Sequence, residues 1–328
     1  MEAVSPSFAN AIQRGTALQR ERRWSEAADS FREAMRLSPG HPDAFNCMGV
    51  LAFATGDFYS ARVNFERGLR AAPASELIFT NLARVLYAMG DWDLLKKVLN
   101  EGSQGGVTND VLMNLHEAAF KKKTGQKIFC IGRNKTGTTS LEHALMGLGF
   151  SMGYQPRGEM LLNDWHQQDY GRISQLVETA DAFQDVPFSL PRTYANLDAL
   201  FPGSKFILTV RDSADQWYRS VTEFHKKIVT RGKNIPTADE LRKFNYRYPG
   251  YLWDSARMVY GATEETVYDK TLYVKNYLDH NEAVLQHFDG RSADLLVLNV
   301  SDPNAMRSLC GFLAIEWTGQ TMPHSNKT

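Results

Sequence analysis

The segment Lys127-Ile-Phe-Cys-Ile-Gly-Arg-Asn-Lys-Thr-Gly-Thr-Thr-Ser-Leu141 brings together the residue types that hold a phosphate. An apolar run, Ile128 to Ile131, leads through a glycine- and hydroxyl-rich loop into a helix-like pattern at Leu141, Ala144, Leu145 and Leu148. A strand that feeds a helix through such a loop aims main-chain N–H groups and the positive end of the helix dipole at one spot. Lys135 adds a cation, and Thr136, Thr138 and Thr139 add hydroxyl donors. The candidate binders are Arg133, Asn134, Lys135, Thr136, Gly137, Thr138 and Thr139. This is not the loop of ATPases, because the lysine precedes the second glycine and G-x-x-x-x-G-K-[ST] is never completed. An ordinary strand-to-helix turn with threonine caps is the bland alternative. A lysine among small and hydroxyl residues is poor core material, which favours the anion.

A second constellation follows the run Phe206–Val210. Arg211 stands at a strand end, and Ser220 comes two helical turns later. A guanidinium fork and a hydroxyl so placed can close on one anion. Alternatively, Asp212 or Ser213 simply caps the following helix.

Four apolar runs alternate with helical patterns from Lys127 onward: Ile128–Ile131, Ala182–Gln184, Phe206–Val210 and Leu295–Asn299. They are continuous rather than alternating, which predicts a mostly parallel sheet covered on both faces, with ligands at its carboxyl ends. The first third of the chain instead repeats in a 34-residue frame. Gly15, Ala27, Phe31, Ala34 and Pro39 fall in register with Gly49, Ala61, Phe65, Gly68 and Pro73. A third copy keeps Phe79, Leu82, Ala83, Gly90 and Asp91, then drifts at Leu95 and Leu99. Trp24, Phe58 and Trp92 recur at one turn position. Small residues where helices touch, an aromatic plug and a terminal proline are what stacked helical hairpins require.

The period and pattern resemble tetratricopeptide repeats. The predicted organisation is a repeat domain over 1–107, an end helix and linker over 108–125 with the boundary at Lys121-Lys-Lys-Thr-Gly125, and an α/β domain over 126–328. Such arrays present a groove to a partner or mediate self-association, or they merely dock internally.

The order Lys-Thr-Gly-Thr-Thr resembles the 5′-phosphosulfate loop of sulfotransferases, which use 3′-phosphoadenosine 5′-phosphosulfate as donor. Arg211 and Ser220 resemble their 3′-phosphate motif, with a gap one residue longer than usual, so that Arg219 holds the usual serine position. The likeness covers residues 127 to 328 and is nearest to a bacterial-type branch, including Ala182-Phe-Gln-Asp-Val-Pro-Phe188, Asp279-His-Asn-Glu282 and Met322-Pro-His-Ser-Asn-Lys327. The family's Arg-Lys-Gly segment is missing; Lys327 or Lys226 are its possible substitutes. The resemblance implies a P-loop-like fold and sulfuryl transfer to a small-molecule, glycan or peptide acceptor. It gives Lys135 the charge on the departing phosphate oxygen. Asp185 falls where many members carry a catalytic histidine, which makes it the implied base; a structural acid capping a helix or pairing with Arg192 is the alternative. Glu142, His143 and Glu159 are reserves. The aromatic segment from Phe224 to Trp253 suits a lid or a helical core equally.

Lysine plus arginine balance aspartate plus glutamate, 37 each in 328 residues, which excludes a generally basic nucleic-acid binder. No apolar run spans a bilayer and no secretory signal opens the chain, so a cytoplasmic setting is expected. Cys47, Cys130 and Cys310 are odd in number and set in apolar surroundings, which fits reduced thiols. The histidines show no metal-ligand spacing, and no metal is expected. A P-loop-like kinase and an inactive interaction scaffold are the rival functions.

Overall fold

The computed structural model describes residues 5–107, 109–120 and 125–323, and its contacts divide the chain into the units Met1–Lys121 and Lys122–Thr328. The Lys121–Thr124 run expected as a hinge lies outside the described residues, as does Lys327.

The first unit is helical: α1 (Pro6–Arg20), α2 (Trp24–Leu37), α3 (Pro42–Ala54), α4 (Phe58–Ala71), α5 (Glu76–Met89), α6 (Trp92–Gln104) and α7 (Asp110–Phe120). The recurring aromatics open α2, α4 and α6, so these helices start 34 residues apart, the tetratricopeptide period. Asp57 and Asp91, at equivalent positions, cap α4 and α6 by accepting from the main-chain N–H of Ser60 (3.0 Å) and Leu94 (3.3 Å). The small residues serve close approach. A Cβ on Gly15 or Gly49 would strike the ring of Phe31 or Phe65, both fully buried on the partner helix. In the third hairpin the arrangement reverses: Phe79 of α5 lies against Gly102 of α6. α7 packs on α5 and α6, its Leu112 joining the core of Leu82, Leu86 and Leu95.

The second unit holds a four-stranded parallel sheet of β1 (Ile128–Cys130), β2 (Ala182–Gln184), β3 (Lys205–Thr209) and β4 (Leu295–Leu298), ordered β2-β1-β3-β4. Between them run α8 (Thr138–Gly147), α9 (Gln155–Glu159), α10 (Leu162–His166), α11 (Gly171–Val177), α12 (Thr193–Leu200), α13 (Ala214–Val229), α14 (Ala238–Lys243), α15 (Tyr251–Tyr260) and α16 (Lys270–His287), with α17 (Ala305–Phe312) closing the order. Alternate strand residues enter two separate cores. Phe129, Phe206 and Leu208 join one, and Ile128, Cys130 and Ile207 join the other. The central strands are thus buried on both faces, which is why their sequences read as unbroken apolar runs. All four strands end at one edge of the sheet, and the site lies there.

Candidate active site

The loop between β1 and α8 is held from outside by its carbonyl groups. Arg133 O accepts from the Thr136 hydroxyl (2.6 Å), Asn134 O from the Trp217 indole N–H (2.9 Å), and Lys135 O from Arg211 Nε (2.8 Å). Trp217 is fully buried and stacks on Tyr277, 4.6 Å between ring centres. The Tyr277 hydroxyl accepts the Arg211 main-chain N–H at 3.2 Å. Thr136 also shares a 2.5 Å hydrogen bond with Thr209 at the end of β3, beside Gly132, where a Cβ would collide with the Thr209 backbone.

With the carbonyls turned outward, the main-chain N–H groups from Arg133 to Thr139 have no acceptor among the described hydrogen bonds. Lys135 (φ +66°) and Gly137 (φ +99°) adopt left-handed backbone, and Gly137, at the N-cap of α8, leaves the helix start without a side-chain cap. Unspent N–H groups, left-handed turns and an uncapped helix start together make an anion cradle.

A cavity of about 340 Å³ opens over this cradle and gathers Asn134, Lys135, Thr138 and Thr139 with Asp185, Arg211 and Ser220. Ser220 Oγ is buried there without a hydrogen-bond partner among the described residues. Arg219 is exposed, so at the longer gap it is the serine that faces inward. Ser213 does cap α13, accepting from Gln216 N–H at 3.2 Å, and the cap and the cavity coexist. Lys226 pairs with Glu223 at 3.6 Å and does not line the cavity.

The side chains of Arg133 and Thr136 depart from the expectation of direct donor contact. Arg133 is 2 % exposed and Thr136 fully buried, and neither lines the cavity. Lys135 Nζ sits 3.8 Å above the Phe224 ring. Burial lowers its pKa, Arg211 and Lys227 push the same way, and Asp185 opposes them.

Asp185 follows β2 at φ +55°, half-buried, with Oδ1 accepting from the Val186 N–H at 2.9 Å. Burial raises its pKa above the ordinary carboxylate value, against the Val186 hydrogen bond and the charges of Lys135 and Arg133. It makes no ion pair with Arg192 among the described residues. Glu159 also lines the cavity; it is 6 % exposed, paired with Arg247, and raised to about 7 chiefly by burial. Glu142 receives Gln184 Nε2 (3.0 Å) and His143 is exposed; neither lines the cavity.

The segment from Phe224 to Trp253 contributes both to the core and to the cavity wall. Leu241 and Tyr251 are core residues, while Phe224, Tyr246, Arg247 and Tyr251 form cavity wall. His225 was not anticipated. It accepts from or donates to the Tyr268 hydroxyl at 2.8 Å, and burial beside Lys135 depresses it to about 4, so it is neutral near pH 7. The readable signal was the stripe Trp217, Ser220 and Phe224 on one face of α13, with His225 alongside. Among the described residues, no group of three or more His, Cys, Asp or Glu is placed to hold a metal ion.

Residues 127–328 match the family model described as sulfotransferase domain. The chain belongs to this family. The matched span contains every residue of the cavity. Over 88 residues, 27 % of this chain, the sequence is 33 % identical to protein O-mannosyl-transferase TMTC1 of Homo sapiens, of which it covers 9 %. It is 32 % identical to the Mus musculus protein of that name over 72 residues, 22 % of this chain and 8 % of that protein. The chain therefore spans less than a tenth of the length of these curated relatives. Among solved structures, the Sgt2 TPR domain from Aspergillus fumigatus is similar to 36 % of this chain and 79 % of its own, at 18 % identity and a TM-score of 0.34. The sulfotransferase domain follows, in chain order, the helical unit whose α2, α4 and α6 start 34 residues apart, the period of tetratricopeptide repeats. Among the described residues, no helix is long and apolar enough to cross a membrane.

Proposed function

We propose that the C-terminal unit moves a sulfuryl group from 3′-phosphoadenosine 5′-phosphosulfate to an acceptor hydroxyl or amine. The observation that carries this reading is the convergence on one cavity of a cradle of unspent N–H groups, Lys135, Arg211 and the orphaned Ser220 hydroxyl. The cradle suits the 5′-phosphate of the donor. Arg211, whose Nε is already spent on Lys135 O, has its terminal nitrogens left for the 3′-phosphate, and Ser220 Oγ supplies a further donor.

In the reaction the acceptor oxygen or nitrogen forms a bond to sulfur as the bond from sulfur to the bridging oxygen breaks. The bond's electron pair stays on the phosphate, where Lys135 offsets the growing charge. Asp185 takes the acceptor's proton and later releases it to water. Its burial favours that role, because a desolvated carboxylate holds a proton more readily than an exposed one. Glu159 is the second reading for the base, favoured by its burial at the cavity and its value of about 7. Its engagement by Arg247 ranks it behind Asp185.

The repeat unit provides contact with a protein partner or a second copy, and three free cysteines suit a reducing, cytoplasmic setting. The test is calorimetric titration with adenosine 3′,5′-bisphosphate beside ATP with magnesium. Tight binding of the bisphosphate and weak binding of ATP are expected. The reverse order would replace this reading with a kinase.

A further inference from the structure

Arg133 is a guanidinium sealed inside the protein, yet among the described residues it makes no ion pair. Its Nη1 donates to the Ser189 carbonyl at 3.1 Å, its plane lies 5.1 Å from the Tyr260 ring centre, and its Nε has no partner. A buried, unpaired charge is costly, so its place needs a reason. The far end of its hydrogen bond to Ser189 supplies it. Ser189 N–H donates to the Asp185 carbonyl at 2.8 Å, closing the turn from Asp185 to Ser189. That turn holds Asp185 in left-handed backbone, with its carboxylate on the Val186 N–H. The Arg133 carbonyl, meanwhile, is fixed within the phosphate loop by Thr136.

We propose that Arg133 is a positioning residue that ties the phosphate loop to the Asp185 turn and stands as the buried counter-charge of the Asp185 carboxylate. The inference rests on the reading of Asp185 as base. The groups facing that carboxylate are Lys135 from the loop, Glu142 from α8, Glu159 from α9, and Tyr246 and Tyr251 from beyond α14. Lys135 and Arg133 favour its ionised form, and the two acids disfavour it. A phosphate in the cradle neutralises Lys135. Arg133 cannot be so neutralised, because it lies outside the cavity. It is therefore the cation that keeps Asp185 able to accept a proton once the donor is bound. His280 does not compete for this role; it is held neutral, pushed down to about 3 by burial and by Arg133 itself.

The test uses the full chain, free and saturated with adenosine 3′,5′-bisphosphate. The Asp185 carboxyl carbon is followed by NMR against pH, assigned through Asp185→Asn. In Arg133→Gln the titration should move upward by about one pH unit or more, and further in the loaded protein. The rising limb of the single-turnover pH profile should move with it, measured at saturating donor so that any loosening of the loop does not enter the rate. Arg133→Lys should restore the titration but not the full rate, because its ammonium keeps the charge and loses the guanidinium's reach to Ser189. An unchanged titration in folded Arg133→Gln would overturn the proposal. If that variant does not fold, an Arg133→Lys protein with wild-type rate and wild-type titration overturns it instead. Absence of transfer by the wild type, with the titration shifted as described, would count against sulfuryl transfer and leave the role of Arg133 standing.

Discussion

Arg211 Nε donates to the main-chain carbonyl of Lys135 at 2.8 Å, across 76 residues of sequence. The two cations of the site are thus joined through backbone rather than held apart. Each cation can be removed separately, with different consequences.

Replacing Lys135 should abolish turnover without unfolding the protein. Its backbone is left-handed, so Lys135→Asn is the cleaner change, since asparagine tolerates that conformation better than alanine. Loss of the charge should slow transfer by about a hundredfold or more. Single-turnover rates measured beside a melting curve check this, and a near-normal rate would remove Lys135 from the chemistry.

Arg211→Ala should weaken a nucleotide bearing a 3′-phosphate more than one lacking it, by about 1.5–3 kcal/mol. Some loss for both nucleotides is expected, because the side chain also braces the loop. Ser220→Ala separates the two effects. Its hydroxyl is buried and unpartnered in the free protein, so melting should be unchanged or improved while 3′-phosphate affinity falls. Equal weakening for both nucleotides in Ser220→Ala would assign the serine to packing.

Asp185→Asn and Glu159→Gln decide the base. If Asp185 accepts the proton, Asp185→Asn should lower the chemical step by about two to four orders of magnitude and leave bisphosphate binding unchanged. Glu159→Gln should cost far less, and chiefly through its contact with Arg247. The opposite ranking would transfer the role to Glu159.

Acid stability should depend on His280. It is 4 % exposed, donates Nε2–H to the Ile131 carbonyl (2.8 Å), and is pushed down to about 3 from an ordinary 6.5. Between those values the unfolded chain binds a proton that the folded one refuses. The stabilisation from the neutral ring is therefore complete above about pH 6.5 and is lost as pH falls toward 3, at about 1.4 kcal/mol per unit before solvent screening and relaxation reduce it. His280→Asn, which can still donate to Ile131, should flatten that slope in denaturant melts across the window.

In the repeats, Gly49→Ala would drive a methyl into the Phe65 ring and should cost about 1–3 kcal/mol of unit stability. A calorimetric scan should show the first unit's transition moving down while bisphosphate binding is kept.

The strands were legible because burial on both faces leaves only apolar residues in them, and the expected limits fall within one residue of those observed. The hairpins were legible because Gly15 and Gly49 recur with Phe31 and Phe65 at fixed separation. What the sequence could not carry was direction. Arg133 and Thr136 sit among cradle residues, yet their side chains turn inward, because Ser189, Arg133 O and Thr209 claim them. Nor do side-chain types announce the left-handed backbone at Lys135 and Asp185. The far wall of the cavity, with His225, Tyr246 and Arg247, is assembled from segments distant in sequence, and the Arg247 to Glu159 contact spans 88 residues.

The reversal at Phe79 and Gly102 does not limit how such an array can lengthen. Each glycine-to-phenylalanine seat lies inside its own hairpin, so a duplicated hairpin carries its seat with it in either polarity. What a copy appended after the third hairpin would meet is α7, already packed against both α5 and α6. Growth by duplication is therefore blocked at the α7 end.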